Sequence, residues 1–128
     1  MATATLSNTP TLIDDGKDSV IIIRDLGDVP GGAALNVTNF SAVDVIQAGH
    51  VIVKDDTSGV LEPLQIDSTT GTYVVDTTGK TYVGVLKKTI LRAKPMAAIL
   101  TIGQVNKTAS PYAVTAAIIA ALPRIEFV

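Results

Sequence analysis

At 128 residues the chain has the length of one domain, and with 47% hydrophobic, 17% charged and 4% aromatic residues it must build a core from Val, Ile, Leu and Ala, which excludes a disordered protein. The absence of cysteine excludes a disulfide framework and a thiolate zinc site, and a formal net charge of −2, with Arg24, Arg92 and Arg124 scattered, leaves no cationic field for nucleic acid. No apolar run approaches the roughly 18 residues of a membrane-spanning helix, so no membrane partner is expected.

Residues 1–18 are rich in Thr, Asp and small side chains and end in Asp14-Asp15-Gly16-Lys17-Asp18, which predicts a flexible N-terminal arm closed by a polar turn. Residues 19–128 then form a single β-rich domain. Its first strand is predicted at Val20-Ile21-Ile22-Ile23, with Arg24-Asp25 emerging into solvent before Gly27 to Gly32 break the chain. Val43 to Val53 reads as strand, turn at Ala48-Gly49, and strand, closed by Asp55-Asp56-Thr57-Ser58-Gly59. Val60 to Ile66 and Thr72 to Asp76 are again of strand length, and turns recur every eight to twelve residues, the spacing of an all-β fold.

Thr81 to Leu86 and Met96 to Ile102 flank a basic stretch, Lys87-Lys88 to Arg92-Ala93-Lys94-Pro95, that reads as a long hairpin arm. Gly84 and Gly103, isolated inside strand patterns, predict bulges or close backbone approaches. One C-terminal helix is expected over 111–122, with Ser110 as N-cap, Pro111 opening it and Pro123 stopping it. Val114, Ile118 and Leu122 give it an apolar stripe, and its near lack of charge predicts cover on more than one side. Arg124 to Val128 alternates like a terminal strand with Ile125 and Phe127 facing one way. The fold expected is mainly β, a compact barrel-like or sandwich-like domain with one packed helix.

Little in the chain suggests catalysis. His50 is the sole histidine and precedes Val51-Ile52-Val53, so a structural role is the ordinary reading, with a ligand or pH-sensing role the other. Thr77-Thr78-Gly79-Lys80-Thr81 imitates the end of a phosphate-binding loop, but Val74 stands where the earlier glycine belongs and no helix is predicted to follow, which favours a turn. Asp14-Asp15-Gly16-Lys17-Asp18 and Asp55-Asp56 lack the alternating ligand spacing of a calcium loop and read as polar turns. The expectation is a non-enzymatic protein without metal or cofactor. Lys87, Lys88, Arg92 and Lys94 are the only local charge bias, either a solvated hairpin or a set of docking charges for an acidic protein surface.

The order Ala48-Gly49-His50-Val51-Ile52-Val53-Lys54, Leu61-Glu62-Pro63-Leu64, Tyr82-Val83-Gly84-Val85-Leu86, Ala97 to Asn106, then an alanine-rich helix resembles the small head-decoration proteins of tailed phages, typified by that of phage lambda, and the base of phage head-fibre proteins. The likeness spans about residues 43–128, while Gly27 to Asn39 looks more like the head-fibre side of the group. It implies a β-rich structural protein, usually a homotrimer, that docks on the major capsid protein and stabilises the outer capsid surface. It further implies an arm that orders on the capsid, for which Leu6, Leu12 and Ile13 are candidate anchors by strand addition. The location implied is the virion, with synthesis in the host cytoplasm, since the first residues lack the pattern of a secretion signal. A mean hydropathy of +0.41 fits a domain with apolar surface reserved for assembly. The alternative, from another functional class, is a carbohydrate- or host-surface-binding module carried on a head fibre, for which Phe40, Tyr73, Tyr82, Tyr112 and Phe127 are the aromatics on hand.

Overall fold

A computed structural model describes residues 16, 18–38, 40, 43–74 and 77–128. In chain order the elements are α1 (Asp18–Ile21), β1 (Ile22–Asp28), β2 (Ala33–Ala34), β3 (Val45–Ile46), β4 (Val51–Asp55), β5 (Leu61–Pro63), β6 (Ile66–Asp67), β7 (Thr72–Tyr73), β8 (Lys80–Leu86), β9 (Ile90–Leu91), β10 (Met96–Ala97), β11 (Ile99–Val105), α2 (Ala116–Ala121) and β12 (Ile125–Phe127), with a 3-10 turn at Lys107–Ala109. The fold is mainly β, with 41% of the described residues in strands and 12% in helices. Among the described residues no helix is long and apolar enough to cross a membrane.

One six-stranded sheet in the order β1-β11-β8-β4-β5 organises the domain, and β12 joins β11 in parallel beside Gly103 to Val105. The strand β11 is shared along its length: Ile99 and Leu100 pair with Leu86 and Val85 of β8, and the residues beyond them pair with β12 on that side and with β1 on the other. Three two-stranded pairs, β2 with β10, β3 with β9, and β6 with β7, surround the sheet.

Consecutive residues of the central strands enter different cores. Val51, Val53, Val85 and Leu100 pack with Ile21, Leu64, Tyr73, Ile118, Leu122 and Ile125, while Ile52, Leu86 and Ile99 pack with Leu35, Phe40, Ile46 and Ala97. A strand covered on both faces needs no polar alternation, which accounts for the unbroken run Val51-Ile52-Val53. The edge strand β5 ends in Pro63, a residue tolerated there because an edge needs no second set of N–H donors.

Gly84 and Gly103 are close approaches, as their placement predicts. A Cβ on Gly84 would overlap the Leu100 carbonyl oxygen, and one on Gly103 would overlap that of Arg24. Gly84 sits at the register shift where Ile52 pairs with Gly84 but Val53 pairs with Tyr82, so a bulge and a strand crossing coincide at a residue without a side chain. The terminal strand also follows its alternation: Ile125 is buried, Phe127 packs against the same core and Glu126 is exposed.

Three expectations need correction. The helix covers 116–121 and not 111–122. Thr115 caps it, its hydroxyl accepting the Ile118 N–H at 3.4 Å, while Ser110 closes the preceding 3-10 turn that Asn106 caps. Pro111 and Tyr112 are drawn into a contact around His50, which overrides a start signal that is only local. The stripe Val114, Ile118 and Leu122 does face the core, but Ala116, Ala117, Ala120 and Ala121 are exposed in the single chain, so the helix is covered on one side. The first strand begins at Ile22 and runs to Asp28, because Asp18 to Ile21 form a helical turn whose Asp18 carboxylate accepts the Thr89 N–H at 2.9 Å and its hydroxyl at 2.6 Å. Finally, residues 87–98 do not project as an arm. They fold back, with β9 on β3 and β10 on β2.

Candidate functional site

The described residues present two surfaces with functional potential, an apolar edge and an aromatic pocket, and one basic loop, half of whose charges are spent internally.

The edge is β1. Its register against β11 runs Ile22 to Val105, Arg24 to Gln104, Asp25 to Gly103 and Gly27 to Ile102, so Ile23 and Leu26 have no cross-strand partner. Each is the extra residue of a bulge, a device that re-aims a side chain and ends regular pairing. The re-aimed chains are apolar and stay in solvent, Ile23 at 52% exposure and Leu26 at 64%, with Val20 beside them in sequence and also exposed. A bulged edge resists further strand pairing, so what these side chains offer is a packing surface rather than a ladder. The sequence did not single them out. Their spacing of three inside a strand, out of phase with a period of two, was the available signal.

The basic loop lies against the same strand. Lys87 forms ion pairs with Asp25 and, at 2.8 Å, with Asp28, and these hydrogen bonds raise its pKa, the Asp25 contact contributing most. Arg92 bonds Asp44 at 2.9 Å and the Phe40 carbonyl at 3.2 Å. Lys88 and Lys94 are exposed and make no ion pair among the described residues. The four candidate docking charges therefore divide into two that fasten the loop to the domain and two that face outward. The candidate arm anchors Leu6, Leu12 and Ile13 lie outside the described residues.

His50 is 1% exposed and sits among aromatic rings from distant parts of the chain, with ring centroids 5.3 Å from Phe40, 5.3 Å from Tyr73 and 5.6 Å from Tyr112, all edge-to-face. Its Nε2 lies 2.9 Å from the Leu64 carbonyl oxygen, which can only accept, so Nε2 carries the proton. Burial depresses its pKa to about 4, outweighing the Leu64 bond, so the ring is neutral at physiological pH. Tyr73 is buried too; its hydroxyl accepts the Val51 N–H at 3.1 Å, and burial pushes its pKa up. Beside His50 a pocket of about 170 Å³ is lined by Val43, Val45, Gln47, His50, Pro111 and Tyr112.

The motifs at Thr77 to Thr81 and Asp55-Asp56 have ordinary explanations, while Asp14, Asp15 and Lys17 of the other acidic turn lie outside the described residues. Thr77 to Lys80 is a turn that opens the strand β8, with the Lys80 N–H on the Thr77 carbonyl at 3.0 Å, and Lys80 reaches Glu62 at 2.5 Å and Asp55 at 3.0 Å to tie β4, β5 and β8 together. Asp55 accepts the Thr57 and Ser58 N–H groups at 2.9 and 3.1 Å; the Ser58 bond first, then Lys80, lower its carboxyl to about 2. Among the described residues no cluster of three or more His, Asp or Glu is arranged to hold a metal.

Comparisons with protein-family models, with curated proteins and with solved structures find no match.

Proposed function

We propose that this chain is a structural virion protein that decorates and stabilises the outer surface of a phage capsid, assembling as a homotrimer and docking on the major capsid protein. The observation that carries this reading is the edge strand β1, where two bulges hold Ile23 and Leu26 in water beside the exposed Val20, so that three of the more exposed large apolar side chains of the described residues fall within one short segment. Exposed apolar side chains at an irregular edge mark a surface meant for another protein. The alanine face of α2, uncharged and uncovered in the single chain, adds a second such surface of the kind that close subunit packing uses. Lys88 and Lys94 supply outward charge for steering, and many copies on one shell multiply modest contacts into firm attachment.

The test is solution mass by light scattering over a concentration series, followed by reattachment to capsids stripped of the protein. A trimer that reattaches, and that loses attachment in an Ile23→Ser/Leu26→Ser variant of unchanged fold, is the expected result. A monomer that fails to bind capsids with its edge intact would overturn the reading.

A further inference from the structure

The pocket beside His50 has the chemistry of a binding site, independent of any capsid role. Three observations converge there. First, Nε2 is committed to the Leu64 carbonyl, which leaves Nδ1 as an unprotonated acceptor. Second, no hydrogen bond among the described residues reaches Nδ1, yet none of their buried side-chain nitrogens or oxygens lacks a partner, so Nδ1 is not sealed in the core. His50 is itself one of the residues that line the pocket. Third, the walls are the aliphatic faces of Val43, Val45 and Pro111 and the ring of Tyr112, with the Gln47 amide as the other polar group and no charged side chain among the described lining residues.

From this arrangement we infer that the pocket binds a single neutral aromatic ring bearing one hydroxyl, a phenol, whose O–H donates to His50 Nδ1 while its ring packs between the aliphatic walls and Tyr112. Size and polarity select this class. A cavity of about 150 Å³ is known to take a benzene ring, so a pocket of about 170 Å³ takes one ring and not a fused system. An acceptor at the base rewards a donor, and apolar walls penalise a charge. An aromatic guest also meets the edge-to-face geometry that His50 and Tyr112 already show with each other. The ring has two possible sources, a free phenolic compound or the Tyr side chain of a docked protein.

The sole histidine makes the test unambiguous, because its imidazole ¹⁵N resonances need no assignment by mutation. Titrating the full chain with phenol at pH 7 is expected to shift the Nδ1 resonance saturably and leave the protonated Nε2 in place. Toluene, of the same shape without the donor, should bind roughly three- to tenfold more weakly. Absence of a saturable shift, equal binding of toluene, or an Nδ1 that proves to be the protonated nitrogen each overturns the inference, and none depends on a variant that must fold. N-acetyl-tyrosinamide distinguishes the sources: binding comparable to phenol assigns the pocket to a protein side chain, and binding of phenol alone assigns it to a free compound.

Discussion

The central strand β4 and the edge strand β1 are made of similar material and meet opposite fates. Val51-Ile52-Val53 and Ile22-Ile23 are both short β-branched runs, yet the first is sealed on both faces while Ile23, and Leu26 three residues on, stay in water. Pairing on both sides, with β5 and β8, and cover on both faces send the side chains of β4 alternately into two cores. Among the described residues β1 pairs on one side only, and the bulges at Ile23 and Leu26 let it turn apolar side chains outward. Apolar character therefore fixes what a residue prefers, and position in the sheet decides whether the domain itself satisfies that preference or leaves it for a partner.

Breaking the centre should have the largest effect. Gly84→Ala places a Cβ against the Leu100 backbone where neither strand can yield, and a loss of about 4 kcal/mol or failure to fold is expected, read from the urea midpoint and from circular dichroism. Wild-type stability in that variant would show that the β8–β11 contact is looser than its geometry implies.

The second effect tests the sealing of the centre through His50. Its folded pKa of about 4 lies below the unfolded value near 6.5, so between those values the unfolded chain takes up a proton that the folded chain refuses. The contribution is full above pH 6.5 and is lost as pH falls toward 4, by about 3 kcal/mol in total. Urea midpoints measured at steps from pH 7 to pH 4 should fall more steeply in the wild type than in His50→Phe, in which this linkage is absent. Equal slopes would mean that the imidazole is solvated.

Fastening of the edge ranks third. Lys87→Ala removes two partly exposed ion pairs that hold the 87–98 loop to β1, and solvent screening limits the loss to about 0.5–1 kcal/mol, sensitive to salt. A loss of several kcal/mol would place Lys87 in a buried network that its exposure does not suggest. The smallest effect on stability, within about 0.5 kcal/mol, belongs to Ile23→Ser/Leu26→Ser, because both side chains are more than half exposed. The same variant should lose reattachment to stripped capsids; attachment unchanged beside unchanged stability would leave the edge without a role.

Much of this architecture was legible. Gly84 and Gly103 announced themselves as glycines inside strand patterns, Ile125 and Phe127 as an alternating terminal pair, and the turns at Gly59 and Gly79 through their Asp, Ser and Thr neighbours; both glycines adopt positive φ in the structure. The helix was legible in its stripe and its end but not in its beginning, since Ser110-Pro111 is a local start signal and the packing of Tyr112 on His50, 62 positions away, draws those residues out of the helix, which Thr115 caps instead. The aromatic cluster around His50 was not legible at all: Phe40, His50, Tyr73 and Tyr112 share no motif, and nothing local requires them to meet.

By itself, then, the sequence determined the secondary-structure class, the turns and the aliphatic core, because backbone propensity and period-two patterning act over a few residues. Tertiary structure alone decided which apolar residues were sealed, which basic residues were neutralised and what surrounds the histidine. Those outcomes depend on strand order, bulge position and contacts between residues dozens of positions apart, none of which a local pattern encodes.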